Sequence, residues 1–222
     1  LEELGHYKEA IAFYHKTMEL DTPTSFAYLR IGKCYEQLKS AKDAIDFYNK
    51  TVTEDPLLDK GWLALTDIYI SRKNYYKALF YINKALSIDE ENYLYWHKFA
   101  EINLKLNLFE EAARAYYKCI GLKDDRLEVY LALADVLHFL GEFDEAIIVL
   151  MDAREAYKDQ AEITYRLAGL HFLVQQKKDG LFFFESALKS DLDYLDVAKE
   201  LYPTVIELHE VQLLITKFKD LG

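Results

Sequence analysis

The sequence contains little proline, glycine or cysteine, and this shortage limits the folds that it can adopt. Its 222 residues include three prolines, eight glycines and two cysteines. Long flexible loops and linkers would need more of the first two residue types, so we expect little disorder away from the ends and no linker between domains. Cys34 and Cys119 do not make a disulfide framework, and we predict that each is a small buried side chain.

Positive charge is also scarce, and no long hydrophobic run is present. Lysine and arginine number 27 against 38 aspartates and glutamates, which gives a net charge of −11. Nucleic acids and anionic membranes both require surfaces rich in Lys and Arg, so we expect neither as a partner. No apolar run approaches the roughly 20 residues that a transmembrane helix needs. Together with cysteines suited to a reducing compartment, this predicts a cytoplasmic location.

The spacings that mark metal sites and active sites are missing as well. The six histidines lie in separate segments, without a His-Glu-x-x-His or Cys-x-x-Cys arrangement. A glycine-rich phosphate loop and a Gly-x-Ser-x-Gly elbow are also lacking. We therefore expect no metal, no cofactor and no enzymatic activity. We predict His171 to be a packed core residue, because it stands where other segments place a buried aromatic side chain.

The sequence has instead a pattern that returns at a constant interval. Five windows in register begin at Ser25, Asp59, Tyr93, Leu127 and Ala161. Large side chains recur at positions 4, 7 and 24, except for Thr164 at position 4 of the fifth window, and small ones recur at positions 8, 20 and 27. Positions 4, 7, 8 and 11 form one helical stripe, and positions 17, 20, 21, 24, 27 and 28 form another. Each window is therefore predicted to be a helical hairpin whose small residues allow the two helices to approach closely.

Short polar breaks separate the two predicted helices of every window. These breaks suit a left-handed or otherwise irregular turn. They are Lys39-Ser40, Lys73-Asn74, Asn107-Leu108, Gly141-Glu142 and Gln175-Gln176.

These columns resemble the tetratricopeptide repeat (TPR) family. Its signature has an aromatic residue, then Leu-Gly/Ala, then Tyr in the first helix, and Ala, Phe/Tyr and Ala in the second. The best match runs from Gly61 through Tyr75 to Leu86, whereas Gly180 departs from the alanine of the pattern. The resemblance implies an all-α fold, an α-solenoid (right-handed superhelix) of stacked antiparallel helical hairpins. Non-enzymatic binding of proteins is the function that it implies.

The repeat register also predicts the organisation of the chain as one TPR solenoid domain over residues 1–222. The full repeats are 25–58, 59–92, 93–126, 127–160 and 161–194, and residues 1–24 match only the second half of a repeat. We therefore expect the chain to be a fragment of a longer one. Residues 195–222 are predicted to be capping helices, one short helix before Pro203 and one from about Pro203 to Lys219.

In the resembled family, positions 2, 5, 9, 12 and 13 of the first helices line a concave groove. Acids recur there at position 9, as Asp67, Glu101 and Asp135. We therefore expect a protein or peptide partner with apolar anchors and some basic residues. The candidate groove residues are Phe26, Leu29, Lys33, Leu63, Asp67, His97, Glu101, Leu104, Leu131, Asp135, His138, Tyr165 and Phe172.

The sequence also allows other uses of this surface. The acids could simply be solvated, or the C-terminal helices could fold back over the apolar strip. The chain could also act as a structural or oligomerisation spacer, with self-association through the second helices, where Phe47, Tyr81, Tyr117 and Val149 are predicted to be exposed. A third alternative is a regulatory repeat region attached to a domain outside these residues.

Overall fold

The computed structural model describes residues 5–20, 24–158 and 160–220, and every regular element in these ranges is an α-helix. The fourteen helices of these ranges are α1 (Tyr7–Leu20), α2 (Ser25–Gln37), α3 (Ala41–Glu54), α4 (Asp59–Ser71), α5 (Tyr75–Leu86), α6 (Tyr93–Lys105), α7 (Phe109–Gly121), α8 (Leu127–Leu140), α9 (Phe143–Ala156), α10 (Ala161–Leu173), α11 (Lys177–Ser190), α12 (Leu195–Leu201), α13 (Pro203–Ile206) and α14 (His209–Lys219). The prediction of an all-α fold is confirmed.

The chain divides into two compact units, which we call unit 1 (Leu1–Leu108) and unit 2 (Phe109–Gly222). In unit 1, α2 packs on α3 and α4 packs on α5, and each hairpin also contacts its neighbour along the chain. In unit 2, α8 packs on α9 and α10 packs on α11 in the same way. Consecutive helices are therefore packed in pairs, as the two stripes of each window predicted. The single domain over residues 1–222 stays a prediction.

The turns inside the hairpins share one backbone conformation, which recurs with the period of the sequence. Within these turns a residue with positive φ recurs at a constant interval, at Gly5, Lys39, Lys73, Asn107, Gly141 and Gln175. The following residue donates its N–H to the carbonyl five residues back, as from Ser40 to Tyr35 at 2.9 Å and from Asn74 to Tyr69 at 2.9 Å. This bond satisfies a carbonyl at the helix end. Lys123, which follows α7, also has a positive φ but lies outside this series. The predicted left-handed turns are confirmed.

The small residues of the pattern make room for large ones. A Cβ atom added to Gly32 would lie 2.4 Å from the ring of Tyr48, which is fully buried in unit 1. The hydroxyl group of Tyr48 donates a hydrogen bond of 2.6 Å to the carboxylate of Glu36. Burial, and then the bonded carboxylate, raise the pKa of Tyr48 far above its ordinary value. The helices of this hairpin therefore approach closely around one large ring.

His171 is buried, as predicted for a core histidine. Its ring stacks on Phe183 with centroids 5.0 Å apart, and its Nδ1 lies 2.6 Å from the side-chain oxygen of Gln176. The same pairing of position 11 with position 23 occurs as Tyr35 on Phe47 and Tyr69 on Tyr81. A histidine can replace the tyrosine here because a flat ring is what the stack requires.

The C-terminal segment departs from the repeat after α11. Helix α12 ends at Leu201, and Pro203 is the first residue of α13, where its missing N–H costs no helical hydrogen bond. The predicted break at this proline is confirmed. The prediction of one helix from about Pro203 to Lys219 is wrong, because the chain leaves the helix at Glu207 and Leu208 before α14 begins. Helix α12 packs on α10, and α14 packs on α11.

Candidate partner-binding surface

The first helices of unit 1 present a mixed surface of apolar and charged side chains. Phe26 and Leu94 are about half exposed, at 52% and 50%. Leu63 on α4 and Leu104 on α6 are half-buried. We call this the unit 1 surface, and its residues are Phe26, Lys33, Glu36, Lys60, Leu63, Asp67, Ile70, Leu94, His97, Glu101 and Leu104.

Two of the predicted groove residues do not lie on a surface. Leu29 is 2% exposed and belongs to a core cluster with Leu65 and Ile68 of α4. Tyr165 is fully buried; its ring packs edge-on against Phe184, and its hydroxyl donates to the backbone oxygen of Asp191 at 3.1 Å. Neighbouring elements cover position 5 in these two helices. Leu29 and Tyr165 are therefore not part of the candidate surface.

Two of the three acids that recur at position 9, Asp67 and Asp135, form ion pairs with the next repeat. Asp67 on α4 accepts a hydrogen bond of 2.5 Å from Lys98 on α6, within unit 1. In unit 2, Asp135 on α8 accepts one of 3.1 Å from Arg166 on α10. In both cases the base lies 31 residues after the acid, at position 6 of the following window. Asp67 and Asp135 therefore carry less uncompensated charge than the sequence suggested.

In the Asp135–Arg166 pair of unit 2, the arginine side chain is largely buried. Arg166 also donates to Glu162 at 2.8 Å, and only 9% of its side chain is exposed. Burial alone would lower the pKa of Arg166, but the hydrogen bonds to Asp135 and the charges of both acids raise it above its ordinary value. Arg166 therefore stays protonated and links two repeats.

The charges left on the unit 1 surface are of both signs. Glu36 and Glu101 are exposed, and so are Lys33 and Lys60. Nδ1 of His97 lies 3.7 Å from a carboxylate oxygen of Glu101, one helical turn away. The unit 1 surface is therefore amphipathic rather than uniformly acidic.

In unit 2, the corresponding surface is covered by the chain itself. Tyr202, which follows α12, is 3% exposed and its ring centroid lies 5.0 Å from that of His138 on α8. The ring also lies directly over Gly169 on α10, where an added Cβ would be only 2.2 Å away. Of the other predicted residues, Leu131 is half-buried and Phe172 packs its ring against Gly180 in the same hairpin. The sequence left open whether the C-terminal segment folds back over the apolar strip of the first helices. In unit 2 the structure shows that it does.

This cover changes the titration of the groups beneath it. Burial lowers the pKa of His138, and the nearby charge of Asp135 opposes this shift. Burial also raises the pKa of the Tyr202 hydroxyl, which Asp135 raises further and Arg166 lowers. At neutral pH both rings are therefore uncharged where they meet.

Exposed apolar side chains on the second helices differ from those predicted. Tyr117 is exposed, but Val149 is buried, and Phe47 and Tyr81 are half-buried because they stack on position 11. Other large apolar side chains are exposed on second helices, and they include Phe80, Ile148 and Phe182. All three stand at position 22 of their windows, which belongs to neither packing stripe of the sequence pattern.

Metal sites and membrane spans are lacking in the part of the chain that the structure describes. Among these residues, no group of three or more His, Cys, Asp or Glu side chains could hold a metal ion. None of the helices in these ranges has both the length and the apolar character needed to cross a membrane.

Sequence models of the tetratricopeptide repeat match four consecutive stretches, at residues 27–56, 60–92, 93–126 and 127–170. Together they take up more than half of the chain. The chain belongs to the tetratricopeptide repeat family. The first three matched stretches follow the windows deduced from the period of the sequence. TPR repeats generally serve as protein-interaction modules.

Solved TPR structures share this fold. YrrB, a TPR protein with an unusual peptide-binding site, superposes with a TM-score of 0.71 at 17% identity, over 88% of this chain and 98% of YrrB. MamA superposes with a TM-score of 0.65 at 19% identity, over 83% of this chain and 96% of MamA. At these identities the similarity concerns the fold alone. No curated protein sequence matches the chain significantly.

Proposed function

We propose that this TPR protein is a non-enzymatic interaction module that binds a peptide or protein segment on the unit 1 surface. The observation that carries the proposal is the exposure of Phe26 and Leu94 on the first helices of two repeats, with Leu63 on the helix between them. Large apolar side chains grouped on one face, among polar neighbours, usually mark a contact surface. YrrB, a TPR protein described as having a peptide-binding site, is consistent with this use of the fold.

The chemistry of the unit 1 surface suggests what the partner segment carries. Apolar anchors would pack on Phe26, Leu63 and Leu94, as in other grooves that accept an extended or helical segment. One or two basic side chains would lie near Glu36 and Glu101, which are exposed. Because Asp67 already pairs with Lys98, charge contributes less to the affinity than the apolar anchors do.

Peptides selected from a displayed random library on the immobilised full chain would test the proposal. Their affinities would then be measured by calorimetry for the wild type and for a Phe26→Ser, Leu94→Ser double variant. We expect the double variant to lose affinity about tenfold or more, because two apolar contacts are each worth about 1–2 kcal/mol. Phe80→Ser is the matched control, since Phe80 is similarly exposed but lies on a second helix.

The proposal would be contradicted if the selected peptides bound the double variant as well as they bind the wild type. It would also be contradicted if the library gave no peptide that binds the folded chain. Loss of binding in Phe80→Ser alone would point to the second helices instead.

Self-association is the second candidate function, and the exposed side chains Phe80, Ile148 and Phe182 on second helices favour it. Light scattering on the purified chain distinguishes the two candidates. A mass that rises with concentration above 26.0 kDa, and that falls back in Phe80→Ser or Ile148→Ser, would support a spacer or oligomerisation role. A constant mass of one chain would exclude it.

A further inference from the structure

Tyr202 occupies a position that the repeat pattern reserves for a small residue. If the repeat register continued, Tyr202 would be at position 8 of a sixth window, where the preceding windows have Gly32, Thr66, Ala100, Ala134 and Ala168. A tyrosine cannot enter the narrow interior of such a hairpin. Helix α12 leaves the register instead and packs on α10, and this places the ring on the first-helix side of unit 2.

The ring lies in a site whose walls come from two repeats. His138 of α8 forms one side, with the two ring centroids 5.0 Å apart. Gly169 of α10 forms the floor, and the absence of a side chain there is required, since an added Cβ would lie 2.2 Å from the ring. The charges of Asp135 and Arg166 act on the hydroxyl group, and these two side chains are hydrogen-bonded to each other.

The segment that carries the ring is held by few other contacts. In α12 and α13 the buried residues besides Tyr202 are Leu195, Ala198 and Val205. Helices of seven and four residues are too short to persist alone in water, so the segment is ordered only while it is docked. Elements with few buried side chains open at lower free energy than the core of the same domain.

We propose that unit 2 carries a binding site for an aromatic side chain, formed by His138, Gly169 and the Asp135–Arg166 pair. The chain's own Tyr202 occupies this site, and a partner segment enters it by displacing α12. The chemistry of the partner follows from that of Tyr202, which occupies the site. We expect the partner segment to carry an aromatic ring and an apolar residue about two helical turns before it, as Leu195 stands before Tyr202. This site lies in unit 2 and is separate from the unit 1 surface, so peptide binding at one can fail without affecting the other.

A labelled synthetic peptide of residues 192–208 tests the site on the full chain by fluorescence anisotropy. In the wild type, Tyr202 competes at the high effective concentration of a tethered group, so the peptide binds weakly. In Tyr202→Ala the site is empty, and we expect the peptide to bind at least about tenfold more tightly than to the wild type. The same peptide with Ala in place of Tyr202 should not show this gain.

Two glycine variants separate the site from general loosening of the fold. Adding Gly169→Ala to Tyr202→Ala fills the floor, and we expect it to abolish the gain in peptide binding. Adding Gly121→Ala instead should leave the gain intact, because Gly121, also in unit 2, has open space around its Cα. Equal peptide binding by the wild type and a folded Tyr202→Ala chain would overturn the proposal, as would an undiminished gain in the Gly169→Ala double variant.

Hydrogen exchange on the wild type provides a measurement that needs no variant. We expect the amides of α12 and α13 to exchange at least about a hundredfold faster than those of α10, because the segment must open for a partner to enter. Exchange of both groups at the same slow rate would show a fixed cap and would overturn the proposal. Slow exchange of α12 and α13 would therefore contradict the proposal even if Tyr202→Ala fails to fold.

Discussion

At Gly32 the hairpin has no room for even one added methyl group. The Cα of Gly32 faces the ring of Tyr48, which is buried and bonded to Glu36 and so cannot move aside. We predict that Gly32→Ala lowers the free energy of unfolding by about 1–2 kcal/mol, because overpacking outweighs the better helix propensity of alanine. Urea denaturation monitored by circular dichroism would measure the change.

Gly121→Ala is the control for that prediction. Gly121 ends α7 and has no atom within 4 Å of an added Cβ. There the substitution should raise the free energy of unfolding by about 0.5–1 kcal/mol, through the lower entropy of the unfolded chain. A stable Gly32→Ala chain would mean that the Tyr48 ring has room to move.

Cys119 is predicted to be unreactive in the folded protein. Its side chain is fully buried, and burial, with a smaller effect of Asp124, raises the pKa of the thiol to about 12. Because the thiolate is the reacting species, alkylation should proceed only when the surrounding structure opens. We expect iodoacetamide to modify Cys119 in urea at least about a hundredfold faster than in buffer, as followed by mass spectrometry of the peptides. Similar rates in both conditions would contradict the burial.

The acids at position 9 show where residue-level reasoning from the sequence reached its limit. Their recurrence was visible, and so were Lys98 and Arg166, but nothing in one window shows that position 9 reaches position 6 of the next. That contact depends on the distance between stacked helices. Both pairs have the same separation in sequence, so comparing opposite charges at that spacing in successive windows would have revealed them.

At the scale of an element, the hairpin turns store a small amount of strain. Lys73 has φ of 56° and Gly141 has φ of 80°, at equivalent positions of two hairpins. A side chain in this region costs about 1 kcal/mol, which glycine avoids. We predict that Lys73→Gly stabilises the fold by a few tenths of a kcal/mol and that Gly141→Ala destabilises it by about 1 kcal/mol. Thermal unfolding should show midpoints shifted in opposite directions, and shifts of the same sign would contradict the shared geometry.

Docking of the C-terminal segment should depend on pH through His138. Burial holds the pKa of His138 below its ordinary value, so the unfolded or undocked state binds the proton more readily. Stability from this contact is therefore complete above about pH 6.5 and is lost as the pH falls through the lowered pKa. We predict faster hydrogen exchange in α12 at about pH 5.5 than at about pH 7.5, after correction for intrinsic rates.

His138→Phe is the control, because it keeps a ring beside Tyr202 but cannot be protonated. The acid-induced opening of α12 should be smaller in this variant. If wild type and variant respond equally to acid, His138 is not the group responsible.

The sequence predicted the regular elements well and the irregular end poorly. Hairpins and turns repeat, so five aligned windows average out the local ambiguity of any one of them. The segment after α11 occurs once, and its course is decided by a single large ring that cannot occupy position 8. The burial of Leu29 and Tyr165 was missed for a related reason, since it depends on neighbouring elements rather than on the helix that carries each residue.

For the molecule as a whole, the net charge of −11 predicts that nucleic acids are not partners. A nucleic acid ligand releases counterions only where Lys and Arg neutralise phosphates. We therefore expect no change in the anisotropy of a labelled oligothymidylate with up to about 100 µM protein at low salt, whereas common non-specific binders have Kd values of about 1–100 µM. Saturable binding in that range would show a basic surface that the composition conceals.

The left-handed turn residue returns at Gly5, Lys39, Lys73, Asn107, Gly141 and Gln175 without a single residue gained or lost between them. One inserted residue would rotate every later side chain of its helix by about 100°, and the apolar stripe would point into solvent. Insertions and deletions within a hairpin are thus far more harmful than substitutions. A lineage that lengthens or shortens this protein must do so in whole repeats, by duplicating or excising a complete hairpin.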